Sequence, residues 1–243
     1  MNAKRKFSSA FKTTIIICCL IGILSNILTT SSIPTILSFY TLQSNIVVLT
    51  FYFLCKVITL FKPYMEKSDI YYFFKGGTIM IILLTFFVYL VALSPTDFTM
   101  NFSTSTNKIF QVSNIFVHFI NPILVLLDYI IFDEKGHMST RYPWRWIMFP
   151  IMYIIYVYTY SFNGGTFFGT GGSRKYAYFF LDLDKIGVIG VAKYLLIIAL
   201  VYIMISYILV LLDKLLGRLK SSRTLQKWGV LFYLSLLFML TVL

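Results

Sequence analysis

Six apolar runs, at about 11–30, 38–61, 72–94, 111–132, 144–162 and 188–212, constrain this chain more than any other feature. Each is close to or above the ~20 residues a helix needs to cross a bilayer. In hydrocarbon a backbone must satisfy its own N–H and C=O groups, which leaves helices or closed barrels, and runs of this length without period-2 alternation read as helices. The expected fold is therefore all-α: a polytopic transmembrane helix bundle forming one integral membrane domain over residues 1–243. A further run, Trp228 to Leu243, is shorter and ends with the chain, so it adds a possible seventh helix. The first run follows Lys4, Arg5 and Lys6 as a signal peptide would, but it lacks a small-x-small cleavage site and reads as the first span.

Composition agrees. The 243 residues are 58% hydrophobic and 12% charged with a mean hydropathy of +0.82, whereas soluble domains are about 45–50% apolar and 25% charged. The net charge of +12 does not point to nucleic acid, because the basic residues cluster in short segments beside the apolar runs. Cys18, Cys19 and Cys55 all fall within apolar runs and read as buried thiols. No paired spacing suggests a disulfide framework or a metal site, and no cofactor is expected.

Basic residues alternate from loop to loop. Lys4, Arg5, Lys6 and Lys12 precede the first run. Lys62, Lys67 and Lys75 follow the second, Lys135, Arg141 and Arg145 the fourth, and Lys214, Arg218, Lys220, Arg223 and Lys227 the sixth. The intervening connections are poorer: 31–37 carries no charge, 95–110 carries Asp97 and Lys108, and 163–187 mixes both signs. The bias expects a cytoplasmic N-terminus, in the cell membrane.

Polar groups inside such runs need partners, since each unpaired amide or hydroxyl costs roughly 2 to 7 kcal/mol out of water. The fourth run carries Gln111, Asn114, His118, Asn121 and Asp128 at steps of 3, 4, 3 and 7, one face of a helix. The second opens with Thr41, Gln43, Ser44 and Asn45, and the fifth offers Tyr153, Tyr156, Tyr160 and Asn163. Thr41 lies four residues and His118 seven residues inside the outer ends of their runs, a difference in depth of about 5 Å at 1.5 Å per residue, so the two can face each other. Tyr160, Asn163 and Asn26 reach the same level; Asp128 belongs to the inner end. Taken alone, a threonine here bonds its own i−4 carbonyl and the tyrosines pack or anchor at an interface, while an intramembrane histidine points to a cavity or relay.

Tyr40-Thr41-Leu42-Gln43-Ser44-Asn45, the segment His118 to Asp128, and Tyr176-Ala177-Tyr178-Phe179-Phe180-Leu181-Asp182 resemble motifs of the androgen-induced gene 1 and androgen-dependent TFPI-regulating protein family, including its bacterial six-helix relatives. Animal members are intramembrane threonine hydrolases of fatty acid esters of hydroxy fatty acids. The resemblance implies Thr41 as nucleophile and His118 as base, acting on a membrane lipid or similar acyl ester. It covers the helix order but is specific only at these three motifs. Ala177 stands where bacterial members often carry proline, and Gln43-Ser44-Asn45 is the bacterial rather than the animal version. Chemistry then suggests Ser44, Asn45, Asn121 or Asn114 as oxyanion or orienting groups, and Gln43, Gln111, Tyr156, Tyr160, Asn163 and Tyr178 as cavity lining. The rival readings are a transporter lined by the polar stripe and a non-catalytic lipid- or partner-binding protein. The sequence leaves the oligomeric state open.

Overall fold

The computed structural model describes residues 3–61, 68–91, 108–169 and 172–218. The run at 228–243 lies outside them. α1 spans Ala3–Thr29, a short α2 Ile33–Leu37, α3 Tyr40–Phe61 and α4 Asp69–Val88. One long helix then comprises α5, Lys108–Ile115, a π-helical segment Phe116–Ile120, and α6, Asn121–Phe132. α7, Tyr142–Trp146, precedes α8, Met148–Phe162; β1, Phe167–Gly169, pairs antiparallel with β2, Gly172–Arg174; a 3-10 turn Phe179–Leu181 leads into α9, Leu183–Arg218. The chain is an all-α bundle to which this two-stranded ribbon is a small addition.

Local chemistry explains the boundaries. Ser68 caps α4 by accepting the Tyr71 N–H at 3.1 Å. Pro34, within the first turn of α2, favours a separate short helix, so α3 begins at Tyr40 rather than at 38. The expected helix over 144–162 starts two residues earlier and divides near Ile147, with Pro143 opening α7 and Pro150 in the first turn of α8. α8 thus has 15 residues, only about 22 Å of rise. Among the described residues five helices are long and apolar enough to cross a membrane: Lys4–Thr29, Tyr40–Thr59, Asp69–Val91, Val112–Phe132 and Leu183–Arg218.

α1, α3, α4 and α5/α6 pack as a ring around a common core, and α7, α8 and α9 lean on α4 from its other side. Ile15, Cys19, Val48, Tyr52, Ile79 and Val125 are completely buried within the ring. α4 and α7 touch closely: a Cβ on Gly76 would stand 2.2 Å from the Trp146 ring, whose indole N–H donates to the Phe73 carbonyl at 2.9 Å. Gly187, at φ 65, breaks the first turn of α9 in a conformation that costs other L-residues energy. Large apolar side chains such as Leu28, Phe53, Ile70, Ile155 and Leu196 are exposed around the periphery, as helices facing lipid require. The three cysteines are buried free thiols.

One residue used for the charge bias sits elsewhere. Lys75, placed by its sequence neighbours in a basic loop, lies inside α4 and is completely buried, and Lys12 is buried in α1. A helix that begins at Asp69 rather than at 72 carries Lys75 into the bundle.

Candidate functional site

Thr41 is the second residue of α3, and its carbonyl is held twice: Ser44 Oγ donates to it at 2.8 Å and Asn45 Nδ2 at 2.7 Å. Asn45 also donates to the Val117 carbonyl at 3.2 Å and accepts from Asn121 Nδ2 at 2.7 Å. These contacts join the start of α3 to the π segment. The segment has a covalent cause at hand. Pro122 has no N–H to return to the His118 carbonyl, and the Asn121 N–H bonds five residues back to Phe116. The widened turn exposes a carbonyl that Asn45 takes up, and His118 lies within it. Such π turns recur at functional sites.

Thr41 and His118 line one cavity of about 60 Å³, together with Thr85 and Tyr89 of the α4 end, Tyr153 of α8 and Tyr178 of the loop before α9. Tyr89 stacks on the imidazole with ring centroids 3.9 Å apart and planes 20° from parallel. The buried His118 Nδ1 has no hydrogen-bond partner. The Tyr178 hydroxyl faces those of Thr41 and Tyr153; burial raises its pKa, and these bonds oppose the rise. No hydrogen bond joins Thr41 to His118. Both line the same small space.

The other candidates divide. Ser44, Asn45 and Asn121 lie behind Thr41. Both amide protons of Asn45 are engaged, Ser44 Oγ pairs with Thr85 Oγ1 at 2.7 Å and Asn121 donates to Asn45, so these groups shape the backbone, and none of the three lines the cavity. Asn114 is half-buried and does not line the cavity. The extra residue of the π turn rotates the preceding helix by about 100°, so Ser113 takes the interior position, bonded to Asn26 and to the Gly22 carbonyl. Gln43 donates to the Leu37 carbonyl at 3.3 Å, Tyr156 bonds Ser38 at 2.9 Å, Tyr160 packs on Phe167, and Asn163 is exposed at the end of α8. None of these four lines the cavity; Tyr178 does. The side chain of Gln111 lies outside the described residues. Sequence reasoning missed Thr85 and Tyr89. Their spacing of four on α4 is the signal, with Thr78 seven residues before Thr85 on the same face.

A second polar cluster occupies the opposite end of the same helices. Lys75 forms buried ion pairs with Asp128 and, at 3.1 Å, with Asp133, and it donates to the Tyr52 hydroxyl at 2.9 Å. Tyr52 donates to Asp128 at 3.0 Å and Tyr71 to Asp133 at 2.7 Å. Burial alone would raise the Asp133 pKa, but Lys75, Lys12, Lys135 and the Tyr71 hydroxyl hold it below the usual carboxylate range. Lys135, in the loop beyond α6, is pushed down to about 8 by burial. Asp213 of α9 accepts from Tyr129 and from the Gly136 and Met138 N–H groups, closing that loop onto α9.

Among the described residues no group of three or more His, Cys, Asp or Glu side chains is placed to hold a metal ion. Compared with known proteins, the chain matches no family model, no curated protein and no solved structure.

Proposed function

We propose that this chain is an intramembrane threonine hydrolase of lipid esters, acting on fatty acid esters of hydroxy fatty acids or similar acyl esters through Thr41 and His118. The observation that carries the reading is that both residues line one small cavity in which His118 Nδ1 has no hydrogen-bond partner. A threonine hydroxyl is a weak nucleophile that needs an adjacent base. The unpartnered Nδ1 is assigned as the acceptor, which puts the imidazole proton on Nε2. Bonds between nucleophile and base are often loose before substrate binds and tighten in the complex. The resemblance of the Thr41, His118 and Tyr178 motifs supports the same assignment.

In the first half-reaction Thr41 Oγ1 attacks the ester carbonyl carbon and its proton passes to His118 Nδ1. The tetrahedral intermediate collapses, the alcohol leaves with the proton from His118, and an acyl-threonine remains. Water then attacks the acyl carbon, giving its proton to His118 and releasing the acid as Thr41 recovers its hydrogen. Tyr178, whose hydroxyl faces Thr41, is the donor positioned for the oxyanion; losing one such donor typically costs about 3 to 4 kcal/mol. Read with the loop charges, the N-terminus is cytoplasmic and the site lies in the outer leaflet of the cell membrane.

A transport path is less well supported. The Asn45–Asn121 pair and the Tyr52–Asp128 pair are each separated by seven residues along α3 and α6. Val48, Leu124 and Val125, all buried, fill the interval between them. The test is labelling of the detergent-solubilised protein with a fluorophosphonate probe. Wild type forms an adduct that maps to Thr41, Thr41→Ser retains some labelling, and Thr41→Val and His118→Ala lose it. A folded wild-type protein that takes up no label transfers the weight to non-catalytic lipid binding.

A further inference from the structure

The space beside Thr41 and His118 is about 60 Å³. A single water needs roughly 10–15 Å³ of such volume, so an ester group fits and a long acyl chain does not. The chain of a lipid substrate must lie in an extension of the cavity, and only one wall offers it. α3, the end of α4 and the π segment close the side toward the bundle, and Tyr178, Phe180 and Leu181 close over the end. The remaining wall consists of Pro150 and Ile154 from α8 and Leu195 and Ile198 from α9.

α8 and α9 are linked at two levels through the segments that adjoin them. The Tyr202 hydroxyl of α9 donates to the Trp146 carbonyl below α8 at 3.1 Å, and the Tyr158 hydroxyl of α8 donates to the Leu181 carbonyl at 3.0 Å, in the 3-10 turn that packs on α9. Between these ties Leu195 and Ile198 of α9 pack on a hydrophobic cluster that holds Tyr153 and Val157 of α8 together with Phe180 and Leu181. Pro150, Ile154, Leu195 and Ile198 are all half-buried, with one side toward the cavity. Beside them Ile155 and Leu196 are 62% and 61% exposed, so the outer side of the seam faces lipid. Aliphatic contacts without hydrogen bonds can part and re-form around another aliphatic chain at little cost, because lipid tails are as apolar as the side chains they replace.

We infer that the seam between α8 and α9 is the lateral entrance through which an unbranched acyl chain passes from the bilayer to Thr41, its carbonyl in the cavity and its chain along Ile154, Leu195 and Ile198. This inference rests on the hydrolase reading for its chemistry, and on the cavity walls for its geometry. The competing seat for a chain is a groove of about 460 Å³ between α3 and α4, lined by residues such as Val47, Leu54, Ile70 and Phe74, which does not include Thr41 or His118.

The experiment uses the full chain in phosphatidylcholine vesicles, with Ile154→Trp and Leu195→Trp as variants. Hydrolysis of a long-chain and a butyrate ester of one alcohol is measured in each, and a diazirine-bearing palmitate analogue is photocrosslinked in parallel. The seam predicts that the ratio of long-chain to butyrate hydrolysis falls at least tenfold in either variant. It also predicts that palmitate adducts in wild type map to 148–162 and 188–201 and diminish in both variants. An unchanged ratio with hydrolysis still dependent on Thr41 overturns the entrance and leaves the hydrolase standing. Adducts confined to 46–58 and 70–78 overturn the entrance in favour of the other groove. Adducts on α8 and α9 in a wild type that cleaves neither ester keep the entrance and overturn the hydrolase.

Discussion

Two ends of one helix bundle use similar side chains to opposite effect. α3, α4 and α6 each contribute to both. Near their His118 end, Asn45 meets Asn121 at 2.7 Å, and seven residues along, Tyr52 meets Asp128 at 3.0 Å. At the Lys75 end an ammonium, two carboxylates and two phenols are paired with one another. At the other end the two amides bond each other, while Thr41 and His118 line a cavity. A polar group in a membrane helix is thus better judged by whether its hydrogen-bonding capacity is used than by its presence. Lys75 carries the costlier charge and reads as structure, because its partners surround it. His118 carries the cheaper group, and its place with Thr41 in the lining of one cavity reads as function.

The comparison breaks first at Lys75. Lys75→Met leaves Asp128 and Asp133 buried without their shared cation, and stability falls by about 3–5 kcal/mol, as removal of one partner of a buried pair generally does. Thermal unfolding in detergent measures it, and adding Asp128→Leu and Asp133→Leu recovers much of the loss. His118→Phe, which keeps a ring against Tyr89, shifts unfolding far less while abolishing probe labelling. Comparable losses in the two variants would erase the distinction between the ends.

Asn45→Leu gives an intermediate effect. It removes the donor to the Thr41 and Val117 carbonyls and the acceptor for Asn121, a loss of about 1–3 kcal/mol from stranded buried groups. Because it loosens the start of α3, it also reduces labelling at Thr41, whereas a purely structural amide remote from the site would leave labelling untouched.

The smallest effect is a dependence on pH. Burial holds Lys135 at about 8 in the fold, below the ~10.4 of an unfolded lysine. Between these values the unfolded chain binds more protons, so stability rises as pH increases from about 8 to about 10.4. Lys135→Met, compared with wild type across that window, shows a flatter unfolding profile; equal slopes in the two proteins would remove Lys135 from the account.

Periodicity and depth alone placed Thr41 and His118 at one level, and both do line one cavity. That much was legible because a helix has a fixed rise and a fixed angular step, so positions along two spans can be compared before their packing is known. The supporting groups were less legible. The stripe on the fourth run assumed an unbroken α-helix, and the π turn before Pro122 moved the interior position from Asn114 to Ser113. Tyr89 and Thr85 come from a different span, and their approach to His118 depends on how α4 packs.

By itself the sequence determined the apolar spans, the punctuation by Pro34, Pro122 and Pro150, and a threonine and a histidine at matching depth, since all of these are local consequences of side-chain chemistry and helical geometry. Tertiary structure alone decided which polar groups are consumed. Lys75 is enclosed by two carboxylates and the Asn45 amide by two carbonyls, whereas His118, whose Nδ1 has no hydrogen-bond partner, lines a cavity. A hydrogen bond between helices depends on distances of a few tenths of an ångström set by packing, and no spacing along one chain encodes them.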